Sequence, residues 1–101
     1  MDDVQRFAVF HARDPLAMAE PQPSHWFTDR ALHYRHVADV AVPFAQVFER
    51  TNHHDSNWTH NPEVLWYDMS IPLRSTSVGD VLVSCETGLA YMVMPVGFQP
   101  L

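Results

Sequence analysis

Hydrophobic and polar residues alternate most clearly near the C-terminus. Val81, Val83 and Cys85 fall on one parity, with Leu82, Ser84 and Glu86 on the other. After Glu86-Thr87-Gly88, Tyr91 and Val93 oppose Ala90, Met92 and Met94. A period of two is that of a strand, so the pattern predicts an antiparallel hairpin turning at Glu86 to Gly88, with Gly88 supplying a positive φ. Both faces of the return strand are apolar, which marks a central strand. Pro95 ends it, and Gly97-Phe98 turns an aromatic ring back towards the sheet. Cys85, on an apolar strand face, is expected to be a small core residue.

Upstream, QRFAVFHA (Gln5 to Ala12) reads as a strand with Phe7 and Val9 on one face and Ala8 and Phe10 on the other. Residues 15–24 carry three prolines and form a surface loop, followed by His25-Trp26-Phe27 as an anchor to the core. From Leu32 to Val42 the alternation returns: Leu32, Tyr34, Ala38, Val40 and Val42 share one parity, while His33, Arg35 and Asp39 share the other with Val37. His36 falls on the apolar side. Pro43 suits the first position of a helix. Phe44, Val47, Phe48 and Thr51 then recur at helical spacing, predicting an amphipathic helix over residues 43–52 with Phe48 against the sheet and Asn52 as its C-cap. EVLWYD (Glu63 to Asp68) is a further candidate strand. The expected fold is a single α+β domain over residues 1–101, with one helix packed on a small, mostly antiparallel sheet of four to five strands in the order β-β-α-(β)-β-β.

The segment RSTSVGDVLV begins at Arg74. Its three hydroxyl residues favour turns and caps, and Gly79-Asp80 bends the chain into the next strand. This segment, the Tyr-containing strand after it and the closing GFQPL resemble the tail of small actinobacterial, phage and plasmid proteins of unassigned function. An R-S-x-S-V-G-D-V segment of the same kind occurs in YodL-like domains of mobile-element proteins. FERTNHHDSNWTHNPEV, from Phe48 to Val64, is similar to the matching part of the actinobacterial group. The resemblance spans roughly residues 32–101. It implies a mobile-element setting and brings no activity with it.

The charge narrows the function classes. The formal net charge is -6, and all six basic residues are Arg. An acidic surface repels nucleic-acid phosphate and attracts proteins with basic grooves. The acidic start MDDVQR argues against a secretory signal, no apolar run reaches the roughly 20 residues of a membrane span, and the lone Cys85 fits a reduced, cytoplasmic setting.

Seven histidines invite a metal reading. His53, His54, Asp55 and His60 lie in one loop, with His33 and His36 on the second strand. Neutral imidazole and carboxylate suit zinc or iron, but the spacing matches no ligand motif, so no metal or other cofactor is expected. No nucleophile elbow or glycine-rich phosphate loop is present. The loop from Asn52 to Asn61 is the candidate contact surface, with Trp58 as an aromatic anchor and Asp55, His53 and His54 beside it. These features point to a small acidic accessory protein of a phage or plasmid. It would act by binding a host protein, one with a basic nucleic-acid-binding groove, and inhibition of a defence system is its concrete form. The rival readings are a small His-rich metal-dependent enzyme and a structural or regulatory subunit of a larger assembly.

Overall fold

The computed structural model describes residues 3–14, 19–52 and 57–101. Six strands form one antiparallel sheet in the order β3-β2-β1-β4-β5-β6. Their ranges are β1 Val4–Ala12, β2 Tyr34–Pro43, β3 Val64–Tyr67, β4 Val81–Ser84, β5 Ala90–Val93 and β6 Phe98–Pro100. Two three-stranded meanders therefore meet along β1 and β4. The chain passes from edge strand β3 to central strand β4 by one long crossover, and that crossover contains RSTSVGD. The sixth strand is the difference from the expected four or five. The Phe98 segment does return to the sheet, and it pairs with β5 as Val93 opposite Phe98.

The alternation in β1 holds as read. Phe7, Val9 and His11 are buried on one face, while Ala8, Phe10 and Ala12 are half-buried on the other. In β2 a single parity does not persist. Val9 pairs with Ala38 and Phe10 with His36, so Val37 is an extra residue in a β-bulge. A bulge rotates the residues beyond it. Val37 thereby joins Val40 and Val42 in the larger core, and His36 turns out to the opposite face. The residues preceding β2 are not strand: Arg30–His33 make one helical turn, α2, after a similar turn, α1, at Ser24–Phe27. Trp26 of α1 covers the second face of the sheet, where it packs with Tyr34, Val81, Ala90 and Met92.

Over the first face lies a 3₁₀ turn, Phe44–Gln46, continuing as α3, Val47–Arg50. It is shorter than the helix expected over 43–52, and it buries a different side chain. Val47 and Thr51 are fully buried, whereas Phe48 is 37% exposed. A segment this short cannot bury the whole of its predicted apolar stripe, and α3 sits on the sheet through Val47, with Phe44 packed beside it. The C-cap falls at Thr51, one residue before the expected Asn52, whose side chain donates to the Phe48 carbonyl. The β4–β5 hairpin turns through Cys85 to Thr87, and Gly88 has φ 74°. Cys85 is exposed in that turn and is not a core residue, because β4 ends at Ser84.

Candidate functional site

The crossover is organised by one carboxylate. Asp80 is fully buried and accepts four hydrogen bonds. Its Oδ1 takes the Ala12 N–H at 2.8 Å and Arg74 Nη2 at 2.8 Å. Its Oδ2 takes the Ser77 N–H at 2.7 Å and Arg74 Nη1 at 2.7 Å. Arg74 Nη2 also reaches the Ala12 carbonyl. A buried carboxylate needs this many partners, and the motif supplies three of the four within seven residues, the Ala12 N–H of β1 giving the other. The arginine comes from its first position, the backbone donor from its turn, and Gly79, with φ 93°, lets the chain close. The loop is thereby pinned to the end of β1.

His11 stands at the end of that network. Its Nε2 lies 3.0 Å from the Thr76 hydroxyl and 3.9 Å from Asp80 Oδ2. Burial pushes the imidazole down to about 4, against the pull of Asp80 and with the repulsion of Arg74, so the ring is neutral at pH 7. His11 and Arg74 line a cavity of about 450 Å³ between β1, β2 and the crossover, together with Arg13, Arg35 and an apolar wall of Val37, Ile71, Pro72 and Leu73. A concave, partly apolar site with convergent polar groups and a shifted titratable residue is where ligand chemistry concentrates. Arg35 is steadied by Asp68, whose Oδ2 accepts from Nε at 2.9 Å. Hydrogen bonds from the Ser70 hydroxyl and backbone N–H, and then from Arg35, hold the Asp68 carboxyl down at about 2.

A second feature sits at the β3 edge. Leu65 (54% exposed), Trp66 (44%), Met69 (79%) and Ile71 (41%) follow one another along the edge strand and the turn after it. The Trp66 ring lies 4.9 Å from that of His36, which stacks on Phe10 at 5.0 Å. His36 Nε2 is 2.8 Å from Asp39 Oδ1, and Arg6 donates to Oδ2 at 2.8 Å. Burial alone would raise the Asp39 carboxyl, but the hydrogen bonds from Arg6 and His36 outweigh it and hold it below its ordinary value.

The expected contact loop is arranged differently. Trp58 is fully buried in the main core and donates its indole N–H to the Arg74 carbonyl at 2.9 Å. It is therefore a core residue bracing the crossover, and its ring is not a surface anchor. Asn57 caps the 3₁₀ turn Trp58–His60, accepting from the Thr59 N–H. Asp55, His53 and His54 lie outside the described residues. Of the other histidines, His33 stacks on His25 at 3.8 Å, His36 bonds Asp39, and His60 lines a separate concavity beside Tyr67 and Met69. Among the described residues, no three His, Cys, Asp or Glu side chains converge as a metal site would need, and no helix is long and apolar enough to cross a membrane. The cavity is not legible in the residue order because its members are scattered from His11 to Arg74. One signal is present there: an Arg and an Asp bracketing the hydroxyl-rich turn of RSTSVGD. No protein-family model, no curated protein and no solved structure matches the chain.

Proposed function

We propose that this chain is a binding protein that works by occupying a surface of another protein, without turnover. The observation that carries this reading is the run of exposed large side chains at Leu65, Trp66, Met69 and Ile71 on the edge strand and its turn. Exposed aromatic and aliphatic side chains concentrated along one edge strand and its turn can serve as anchors in protein interfaces. Because β3 ends the sheet, its outer edge is also a place where a further strand can add. The contact surface thus moves from the loop around Trp58 to the β3 edge.

The charge supports the same reading. Arg6, Arg35, Arg50 and Arg74 are each paired with a carboxylate inside the molecule. Asp3, Glu20, Asp29, Glu49 and Glu86 are exposed and enter no ion pair among the described residues. The surface field is therefore acidic, and it favours a basic partner with association that is faster at low salt. A host protein with a basic groove, met by an accessory protein of a mobile element, fits both the charge and the resemblance of RSTSVGDV.

Site-specific photo-crosslinking in the host cell tests this. A crosslinker at Leu65 should trap one discrete adduct, lost in a Trp66→Ala background. The same group at Val96, on the turn before β6 at the far side of the sheet, should trap none. Identical adducts from both positions, or none from Leu65, would overturn the proposal.

A further inference from the structure

We propose that the cavity between β1, β2 and the crossover is a binding site for a carboxylate carried on a small apolar body. The inference shares Ile71 with the β3 surface but not Trp66, and it rests on which hydrogen-bond donors remain unused around the cavity. Arg74 spends both terminal nitrogens on Asp80, Ser75 and Ala12, and so belongs to the scaffold. Arg35 spends Nε and Nη2 on Asp68 and Ser70, which leaves Nη1. Arg13 spends only Nε, on the carbonyls of Ala31 and Tyr34. Among the described residues, neither of its terminal nitrogens has an acceptor, and it forms no ion pair. Those two bonds orient the Arg13 guanidinium from behind, an arrangement that suits a planar, two-oxygen acceptor.

The local charge selects the size of the anion. Asp68 offsets Arg35 and Asp80 offsets Arg74, so of the three arginines lining the cavity Arg13 alone has no carboxylate partner among the described residues. A singly charged carboxylate matches that balance, whereas a polyphosphate would bring more charge than the site can neutralise. Next to the donors stands the apolar wall of Val37, Ile71, Pro72 and Leu73, and the volume of about 450 Å³ leaves room for a ring or a short branched chain. His11 lines the same cavity with Nε2 turned to Thr76. Among the described residues its Nδ1 has no partner, so it remains open to a ligand hydroxyl or amide. A small carboxylic acid and the terminal carboxylate of a peptide share this chemistry.

The test is amide chemical-shift mapping with calorimetry, using 3-phenylpropionate, its neutral amide, inorganic phosphate, and a Leu-Phe dipeptide with a free or amidated C-terminus. The acid should shift the Arg13, Val37 and Leu73 amides saturably and bind about tenfold or more tighter than the amide, as loss of a charge-assisted bidentate pair implies. Arg13→Gln should weaken the acid to a similar degree. Ile71→Glu, at a 41% exposed position in the cavity wall, should do the same by repulsion. Trp66→Ala should leave binding unchanged, so failure here and failure of the β3 interface are separable. A free-terminus dipeptide binding tighter than 3-phenylpropionate assigns the site to chain ends, and the reverse order assigns it to a small acid; either supports the carboxylate site. Equal binding of acid and amide, equal binding of inorganic phosphate, or wild-type affinity in both Arg13→Gln and Ile71→Glu would overturn it.

Discussion

Replacing Asp80 by Asn changes one atom and leaves the packing alone, so it isolates what the carboxylate does. Each Asp80 oxygen accepts two hydrogen bonds, Oδ1 from the Ala12 N–H and Arg74 Nη2, Oδ2 from the Ser77 N–H and Arg74 Nη1. An asparagine can present one oxygen only. Whichever way its amide is turned, the NH₂ group meets two donors, one of them on Arg74. Those donors lose their acceptor in a fully buried place, and the Arg74 charge loses its counter-ion. Breaking a buried pair by removing one partner costs about 3–5 kcal/mol. Arg74 is 41% exposed on its side chain, so water recovers part of the loss and the expected cost is nearer the lower end, about 3 kcal/mol.

Urea unfolding at pH 7, followed by tryptophan fluorescence, measures it directly. Trp58, bonded to the Arg74 carbonyl, is a well-placed reporter of the crossover. The denaturation midpoint should fall with little change in slope, since the folded core is retained. Adding Arg74→Met to Asp80→Asn should cost much less than Arg74→Met alone, because the charge it removes has already lost its partner. A loss below about 1 kcal/mol, the size of one ordinary hydrogen bond, would refute the reasoning. Strict additivity of the two substitutions would refute it as well.

Three further outcomes follow from the same geometry. Burial depresses His11 to about 4 from its usual 6.5, so the unfolded chain takes up a proton before the folded one. Stability is then complete above pH 6.5 and declines as the pH falls towards 4; the shift corresponds to about 3 kcal/mol, and His11→Asn should flatten that part of a stability-against-pH curve relative to the wild type. Val47→Ala should cost about 2 kcal/mol and Phe48→Ala less than about 1 kcal/mol, since only Val47 is in the core; thermal melts of the two variants would reverse the order if Phe48 were the buried face. Gly88 has φ 74° and open space where a β-carbon would sit, so Gly88→Val should lower stability by about 1–2 kcal/mol through backbone strain alone, and an unchanged melting temperature would argue against the turn geometry.

Much of this molecule is local in origin and could be read from the residue order. The β1 faces, the β4–β5 hairpin with its positive-φ Gly88, the strand at Glu63 to Asp68 and the α+β class all follow from period-two patterns and turn residues, which act within a few positions of one another. Three features needed the folded chain. The bulge at Val37 depends on β1 as a partner: the strand alone shows an alternation that falters at His36 and Val37, and only pairing reveals that one residue is extra and that His36 faces outward. The burial of Val47 over Phe48 depends on how a two-turn helical segment lands on the sheet, because its apolar stripe is wider than the contact it makes. Trp58 reads as a surface anchor because its neighbours are polar, yet its indole reaches the Arg74 carbonyl across the crossover and the core closes over it. The cavity shows the same limit most plainly. Arg13, Arg35 and Arg74 stand far apart in sequence, each beside residues that say nothing of the others, and they share a wall only because β1 and β2 pair antiparallel while the crossover is tied by Asp80 to the end of β1.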